Sequence, residues 1–127
     1  MRFLKNNLQA LNKDVIAHFK LKELACRCGK CTWTILDRQA LYRLATVRTA
    51  YGRPMNINRM YSCQQHNRSK RVGGSKHSRH CIGQAIDIAK PAKDKGQAEL
   101  LALLKLHFPY IKNYKTHWHV DMRSTKR

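Results

Sequence analysis

Two short segments alternate between apolar and polar side chains, and this alternation constrains the fold more than any other feature of the sequence. In residues 84–89, Ile86 and Ile88 lie on one face of a strand and Asp87 lies on the other. Residues 116–122 also place apolar and polar side chains on opposite faces of a strand. The apolar face has Trp118, Val120 and Met122, and the polar face has His117, His119 and Asp121. Two such strands can pack their apolar faces on one core while their polar faces line one cleft.

The polar faces of these strands offer a set of metal ligands. Asp87 and His119 meet if the two strands are neighbours, and His80, joined to Asp87 through Gly83, can turn back over the same position. Two histidines and one carboxylate leave the fourth position of a tetrahedral zinc ion to water, which is the arrangement of catalytic zinc sites. A His-x-His pair alone more often lies on the protein surface and binds no metal, so the prediction depends on the three residues together.

The charge balance indicates a polyanionic partner. The sequence has 127 residues with 26 Lys and Arg against 7 Asp and Glu, a formal net charge of +19. This length allows one domain, and a hydrophobic content of 43% is too high for a disordered basic tail. Nucleic acid is the first partner that such a charge suggests. The basic loop at residues 68–79 is the candidate contact, with a solvated loop beside the cleft as the alternative.

Nothing in the sequence predicts a membrane span or export. No apolar run approaches the ~18–20 residues that a membrane-spanning helix needs. The first residues lack an apolar stretch followed by a small-residue cleavage site, so we expect no secretory signal and synthesis in the cytoplasm.

Helical periodicity is clearest after Asp37. Asp37 is the predicted N-cap of this helix, and Gly52 marks its end. A second helix is predicted over residues 98–106, after a capping-box spacing from Asp94 to Gln97. Since this second helix is apolar on nearly every side, we expect it to be the most buried element.

Shorter elements complete the predicted fold. A short helix is expected around residues 21–25, a short strand at 55–58 and a long polar loop at 62–79. Helices and strands without a regular βαβ repeat indicate the α+β class, with a small antiparallel sheet and flanking helices around a zinc cleft. The predicted organisation is an irregular lead-in at 1–14, one domain at 15–123 and a basic tail at 124–127.

Five cysteines allow a second metal site. Their odd number and the lack of an export signal argue against a disulfide framework. Three of them, Cys26, Cys28 and Cys31, look like part of a thiolate site, with Cys63 as the candidate fourth ligand. Because this spacing is uncommon for zinc, a reduced, partly buried loop and a pair that oxidises outside the cell remain alternatives. Cys81 is assigned to packing.

Several motifs occur in the same order in a known family. They resemble the zinc D-Ala-D-Ala carboxypeptidases and LD-endopeptidases, a hedgehog-like group that cuts peptidoglycan stem peptides, and most closely its short phage-type members. The likeness covers roughly residues 15–123. Its elements are Phe19-x-Leu21-x-Glu23-Leu24-x-Cys26-x-Cys28-Gly29-x-Cys31, Gly52-x-Pro54-Met55, His66-Asn67, Val72-Gly73-Gly74, Ser78-x-His80-x-x-Gly83-x-Ala85-x-Asp87-Ile88 and His119-Val120-Asp121.

The resemblance implies a role for each residue of the cleft. His80, Asp87 and His119 match the zinc ligands of the family. His117 matches its His-x-His variant, in which this histidine assists the zinc-bound water or the tetrahedral intermediate, and His117 is therefore the candidate base. Many relatives instead carry a glutamate three residues before the last ligand, where this chain has Thr116. Asp121 would hold a ligand or a strand in orientation.

One position departs from the family. An arginine that binds substrate usually precedes the His-Asn element, and the matching residue here is Ser62. Arg59 and Arg68 are the candidates to replace it from another direction. The departure bears on substrate binding and on activity itself.

The implied function is a zinc-dependent peptidase that cleaves peptidoglycan stem peptides or cross-links. Such an enzyme would reach the cell wall on lysis or as part of a phage particle, and its positive charge would suit anionic wall polymers as well as nucleic acid. The alternatives are a basic nucleic-acid-binding or structural protein that keeps the fold without catalysis, and a metal-binding domain with neither activity.

Overall fold

The computed structural model describes residues 2–4, 17–28, 31, 33–63 and 78–123. Their helices are α1 (Leu21–Leu24), α2 (Arg38–Tyr51) and α3 (Gln97–His107), with short 3₁₀ helices at Arg79–Ile82 and Lys93–Lys95. The strands are β1 (Arg2–Leu4), β2 (Trp33–Ile35), β3 (Ile57–Arg59), β4 (Ala85–Ala89), β5 (Tyr110–Asn113) and β6 (His117–Asp121).

The main sheet has the strand order β3-β4-β6-β5, and every neighbouring pair is antiparallel. The two alternating segments become β4 and β6, the central pair, in a register that sets Asp87 opposite His119. A separate two-stranded sheet joins β1 to β2. The predicted α+β class, with a small antiparallel sheet and flanking helices, is therefore confirmed.

One face of the central strands forms the core of the domain. Ile86, Ile88, Trp118 and Val120 are buried there and pack in one cluster with the inner side of α2. Full burial of a large apolar side chain contributes about 1.5–3 kcal/mol. This anchoring fixes the opposite, polar face of the same strands in place.

Helix α2 follows its sequence signals at both ends. The side chain of Asp37 accepts a hydrogen bond from the backbone N–H of Ala40 at 2.9 Å, as an N-cap does. Gly52 ends the helix in the left-handed conformation with φ of 72°. The helix between them buries a stripe of apolar residues, Ala40, Leu41, Leu44, Ala45 and Val47.

Two expectations about helix α3 are wrong. Its N-cap residue is Gly96, which has no side chain to cap the helix, and the side chain of Gln97 donates to the carbonyl of Pro91 rather than forming a capping box with Asp94. Helix α3 is also less buried than α2: only Leu100 and Leu104 are fully enclosed, and Leu106 is 75% exposed. The helix lies on the surface and contacts the rest of the domain along one side, so apolar content did not predict burial.

Smaller differences concern the strands and loops. Strand β5 had no clear signal in the sequence, and the strand expected at 55–58 lies at Ile57–Arg59. Strand β1 forms within the predicted lead-in, whose limits stay a prediction. Most of the predicted basic loop and the tail at 124–127 lie outside the described residues. Within the part of the chain that is described, no helix has the length and apolar character needed to cross a bilayer.

Candidate metal centre

Three side chains converge on the polar face of the central strands. We refer to His80, Asp87 and His119 as the His–Asp cluster; one ligand atom from each lies within 4.8 Å of the others. Strands β4 and β6 place Asp87 and His119 directly opposite each other. The 3₁₀ helix Arg79–Ile82 brings His80 to the same point from before β4. The structure thus brings together the three residues that the sequence predicts as metal ligands.

The approach of His80 depends on the ends of its short helix. The hydroxyl of Ser78 accepts a hydrogen bond from the backbone N–H of His80 at 3.2 Å. Gly83 ends the helix with φ of 69°, a conformation that L side chains rarely adopt. A Cβ atom at Gly83 would lie 2.1 Å from the carbonyl oxygen of Ile35. Glycine is therefore required here for both conformation and space.

The tautomer of His80 is set by the backbone. Its Nδ1 lies 2.9 Å from the carbonyl oxygen of Met60, which can only accept, so Nδ1 donates. In the neutral ring, Nε2 then carries the lone pair. This atom is buried, makes no hydrogen bond and lies 3.3 Å from Oδ1 of Asp87. Two hydrogen-bond acceptors at this distance repel each other unless a cation or a proton lies between them.

His119 completes the arrangement between two carboxylates. Its Nε2 donates to Oδ2 of Asp121 at 2.8 Å, and its Nδ1 lies 3.0 Å from Oδ1 of Asp87. Ligand atoms on a tetrahedral zinc ion, with bonds of ~2.0–2.1 Å, lie ~3.3 Å apart. The measured separations of 3.3 and 3.0 Å around Oδ1 of Asp87 are close to that value. The donor set and its spacing therefore fit zinc.

The electrostatics of the cluster favour positive charge. Burial would raise the pKa of Asp87, but the side chain of His119 and the charge of Arg59 hold it well below its usual value. Burial would lower the pKa of His119, yet Asp121 and Asp87 raise it overall. Asp121, buried but paired with His119 and Arg123, has its pKa lowered to about 2. Both carboxylates are thus ionised at neutral pH and attract a cation.

An outer layer of arginines orients the two carboxylates. Nε of Arg59, opposite Asp87 in the β3–β4 register, lies 3.2 Å from Oδ2 of Asp87. Arg123 donates to Asp121 from its backbone N–H and from its guanidinium at distances of 2.7–3.0 Å. The guanidinium of Arg123 also lies 4.0 Å from the ring centre of Tyr110. Arg123 is not among the residues predicted from the sequence, where its position two residues after Asp121 is the only signal for it.

A comparison with known families agrees with this geometry. The family model described as Peptidase M15 matches residues 17–121. The chain belongs to the Peptidase M15 family. The family's zinc-dependent peptidases act on peptidoglycan-type substrates, which agrees with the resemblance seen in the sequence motifs. A search of curated proteins found no match to the chain.

Other predicted site residues of this M15 family member fall around the cluster. His117 lies on the same strand as His119, stacked on the ring of Tyr114 with ring centres 4.6 Å apart. Its Nδ1 lies 3.4 Å from the hydroxyl of Thr116. Among the described residues, no hydrogen bond or ring contact joins His117 to the cluster. Its role in proton transfer, like those of the other site residues, stays a prediction.

The structure also locates the position where the family arginine is missing. Ser62 is 0% exposed, and its backbone N–H donates to the carbonyl of His80 at 3.1 Å. Its hydroxyl is buried without a hydrogen-bond partner. Arg59 is the candidate replacement that reaches the cluster, through Asp87. Arg68 lies outside the described residues.

Proposed function

We propose that this chain is a zinc-dependent peptidase that hydrolyses peptide bonds in peptidoglycan stem peptides or cross-links, as a D-Ala-D-Ala carboxypeptidase or endopeptidase. The observation that carries the proposal is the buried Nε2 of His80, which lacks a hydrogen bond and faces Oδ1 of Asp87 at 3.3 Å. Membership of the Peptidase M15 family supports the same chemistry. In this setting the protein would meet peptidoglycan on lysis or as part of a phage particle.

The proposed zinc ligands are Nε2 of His80, Oδ1 of Asp87 and Nδ1 of His119. Two histidines and one carboxylate leave a coordination position for water or substrate, as catalytic sites do. Bound zinc supplies Lewis acidity, which makes water a nucleophile at neutral pH and polarises the scissile carbonyl. Asp121 receives the Nε2–H of His119 and so keeps Nδ1 directed at the metal position.

His117 is the proposed carrier of the proton. It stands two residues before His119 on the same strand face, half-buried and stacked on Tyr114. An imidazole there would take a proton from the attacking water and deliver it to the leaving amine. Thr116, which holds the position of the glutamate found in many relatives, cannot accept a proton at neutral pH.

Arg59 is the proposed substrate-binding residue. Its side chain lies beside Asp87 and is 21% exposed, so it can hold one proposed metal ligand and still be reached by a substrate. An arginine at this place would stabilise the negative charge that develops on the scissile carbonyl. Arg68 is a second candidate for the same task.

The experiment is digestion of purified peptidoglycan by the zinc-loaded protein, with product masses read by mass spectrometry. We expect new stem-peptide fragments whose masses identify the bond that is cut. His80→Ala should give none, whereas His18→Ala, a change at an exposed histidine outside the cluster, should digest like the wild type. If the zinc-loaded wild type releases no product, the enzyme proposal is wrong.

The net charge of +19 favours one other function, a basic nucleic-acid-binding protein that has kept the fold without catalysis. Ser62 at the family's arginine position agrees with such a loss. Salt-sensitive binding to duplex DNA, together with no turnover after zinc addition, would support it. Turnover with weak DNA binding would support the peptidase.

A further inference from the structure

Four sulfur atoms meet at a place separate from the His–Asp cluster. We refer to Cys26, Cys28, Cys31 and Cys63 as the thiol cluster; their Sγ atoms all lie within 4.8 Å of one another. The Sγ–Sγ distances are 3.4 Å for Cys28–Cys31, 3.6 Å for Cys26–Cys63 and 3.9 Å for Cys28–Cys63. All five cysteines of the chain are described, and none is in a disulfide.

These distances are those of thiolates around one metal ion. Sulfur ligands on a tetrahedral zinc ion, with bonds of ~2.3 Å, lie ~3.8 Å apart. A disulfide needs an S–S distance of ~2.05 Å and joins sulfurs in pairs, whereas here the sulfur of Cys28 approaches those of both Cys31 and Cys63. A cluster in which each thiol has more than one sulfur neighbour suits a single central cation.

The backbone around the thiol cluster supports the same conclusion. The N–H of Cys63 donates to Sγ of Cys26 at 3.4 Å. Such a bond favours the thiolate form of a sulfur ligand. Cys26 is buried and the other three cysteines are partly buried, so four sulfurs share a site with limited access to water.

We propose that Cys26, Cys28, Cys31 and Cys63 bind a structural zinc ion. Four protein ligands fill a tetrahedral site, so no position remains for water or substrate. Four thiolates also select a soft ion and disfavour magnesium or calcium. The site stands independently of the peptidase activity, since it shares no ligand with the His–Asp cluster.

The proposed zinc joins the segment after α1 to the segment after β3, which holds His80. Cys26, Cys28 and Cys31 follow α1, and Cys63 follows β3 by a few residues. The same two segments are joined by the N–H of Tyr61, which donates to the carbonyl of Leu24 at 2.9 Å. Between β3 and Cys63 lie the Met60 carbonyl and the Ser62 N–H, the two backbone groups bonded to His80. A zinc ion at Cys63 would therefore stiffen the support of His80.

The test is zinc content per chain in protein purified under reducing conditions. We expect two zinc ions in the wild type, one in His80→Ala, and one in Cys31→Ser. Cys81→Ser is the matched control, because Cys81 lies outside the thiol cluster, and it should keep two. Replacement of zinc by Co²⁺ should give sulfur-to-metal charge-transfer absorption in the wild type and His80→Ala and much less in Cys31→Ser.

Zinc that is lost only in His80→Ala, or thiolate absorption that survives unchanged in Cys31→Ser, means that the four cysteines do not form the site and contradicts the proposal. One zinc in the wild type that persists in His80→Ala and is lost in Cys31→Ser supports the thiol site and counts against zinc at the His–Asp cluster. Iron in place of zinc identifies an iron centre instead, and a mass lower by four hydrogens with one of the five thiols open to alkylation identifies two disulfides. If Cys31→Ser does not fold, Cys31→His should restore the second zinc, because histidine is also a zinc ligand; its failure to do so overturns the proposal.

Discussion

The His–Asp cluster and the thiol cluster are both sets of candidate metal ligands, but different parts of the fold build them. Two of the three ligands in the His–Asp cluster lie on paired central strands whose other face is the core. Around these ligands, Arg59, Asp121 and Arg123 bind the carboxylates and the imidazole. The thiol cluster is gathered from residues outside regular helices and strands, at 26, 28, 31 and 63. Its hydrogen bonds in the described residues run mainly among its own atoms.

The difference shows what each arrangement can do. Three candidate ligands of mixed type, two of them held on a sheet and all beside charged side chains, would leave room on a bound metal ion for a reacting molecule. Four thiolates on irregular segments close a site and cross-link the chain. A sheet can hold ligand side chains in position without a metal ion. Segments with little regular structure gain the most stability from a bound metal ion.

The largest expected effect comes from mild chelation. A chelator of moderate strength should remove zinc from the three-ligand His–Asp cluster before the four-ligand thiol cluster, since the open position admits the competing ligand. Peptidoglycan digestion should then fall below detection while one zinc ion per chain remains. Added zinc should restore digestion. Full activity in protein that retains only the thiol-bound zinc would show that the His–Asp cluster is not the catalytic site.

Replacement of Gly83 should destabilise the support of His80. In Gly83→Ala, left-handed backbone strain of ~1–2 kcal/mol adds to a clash with the Ile35 carbonyl, so we expect a loss of about 2–5 kcal/mol in the free energy of unfolding. Gly52→Ala is the matched control: it has the same left-handed strain but no atom within 4 Å of the new Cβ, so about 1–2 kcal/mol is expected. Chemical denaturation of both variants measures the difference, and equal losses would mean that the close approach to Ile35 has no consequence.

Asp121 should affect only the zinc of the His–Asp cluster. Asp121→Asn removes the charged acceptor that orients His119, and losses of this kind weaken metal binding by ~10–100-fold. Competition titration with a zinc-binding dye measures the affinity of each site in turn. The thiol cluster should keep its affinity, and Asp94→Asn, at an exposed acid, should leave both sites unchanged. If the zinc affinity of the His–Asp cluster is unchanged in Asp121→Asn, Asp121 has no role in zinc binding.

Arg59 should show the smallest effect, and its variant separates two roles. Arg59→Gln should lower zinc affinity only a few-fold, at or below the lower end of the ~10–100-fold range, because Arg59 contacts Oδ2 of Asp87 and not the proposed ligand atom Oδ1. If Arg59 also binds substrate, KM should rise in zinc-saturated protein. An unchanged KM would leave Arg59 with the orientation of Asp87 alone. Arg53→Gln, at an exposed arginine, is the control.

The sequence predicted those parts of the fold that depend on local patterns. Period-two alternation identified β4 and β6, and the caps Asp37 and Gly52 identified both ends of α2. Alternation and caps act through neighbouring residues, so the sequence displays them directly. Helix α3 shows the limit of this approach, because burial depends on which surface the rest of the chain covers.

The contacts that prepare the site could not be predicted in the same way. The Met60 carbonyl fixes the tautomer of His80 across 20 positions of the chain, and backbone carbonyls have no signal in the residue pattern. The hydrogen bonds from Arg123 to Asp121 form just beyond the last strand, where the alternation of apolar and polar side chains has ended. The approach of Cys63 to Cys26 joins segments 37 residues apart.

By itself, the sequence determined which residues have the chemistry for metal binding and which strand faces carry them. His80, Asp87, His119 and the four cysteines could be named from residue type and spacing. Only the tertiary structure decided that Nε2 of His80 faces Oδ1 of Asp87 and that four sulfurs surround one point. The physical reason is that residue type is a local property, whereas the direction of a lone pair depends on register, tautomer and contacts distant in the chain.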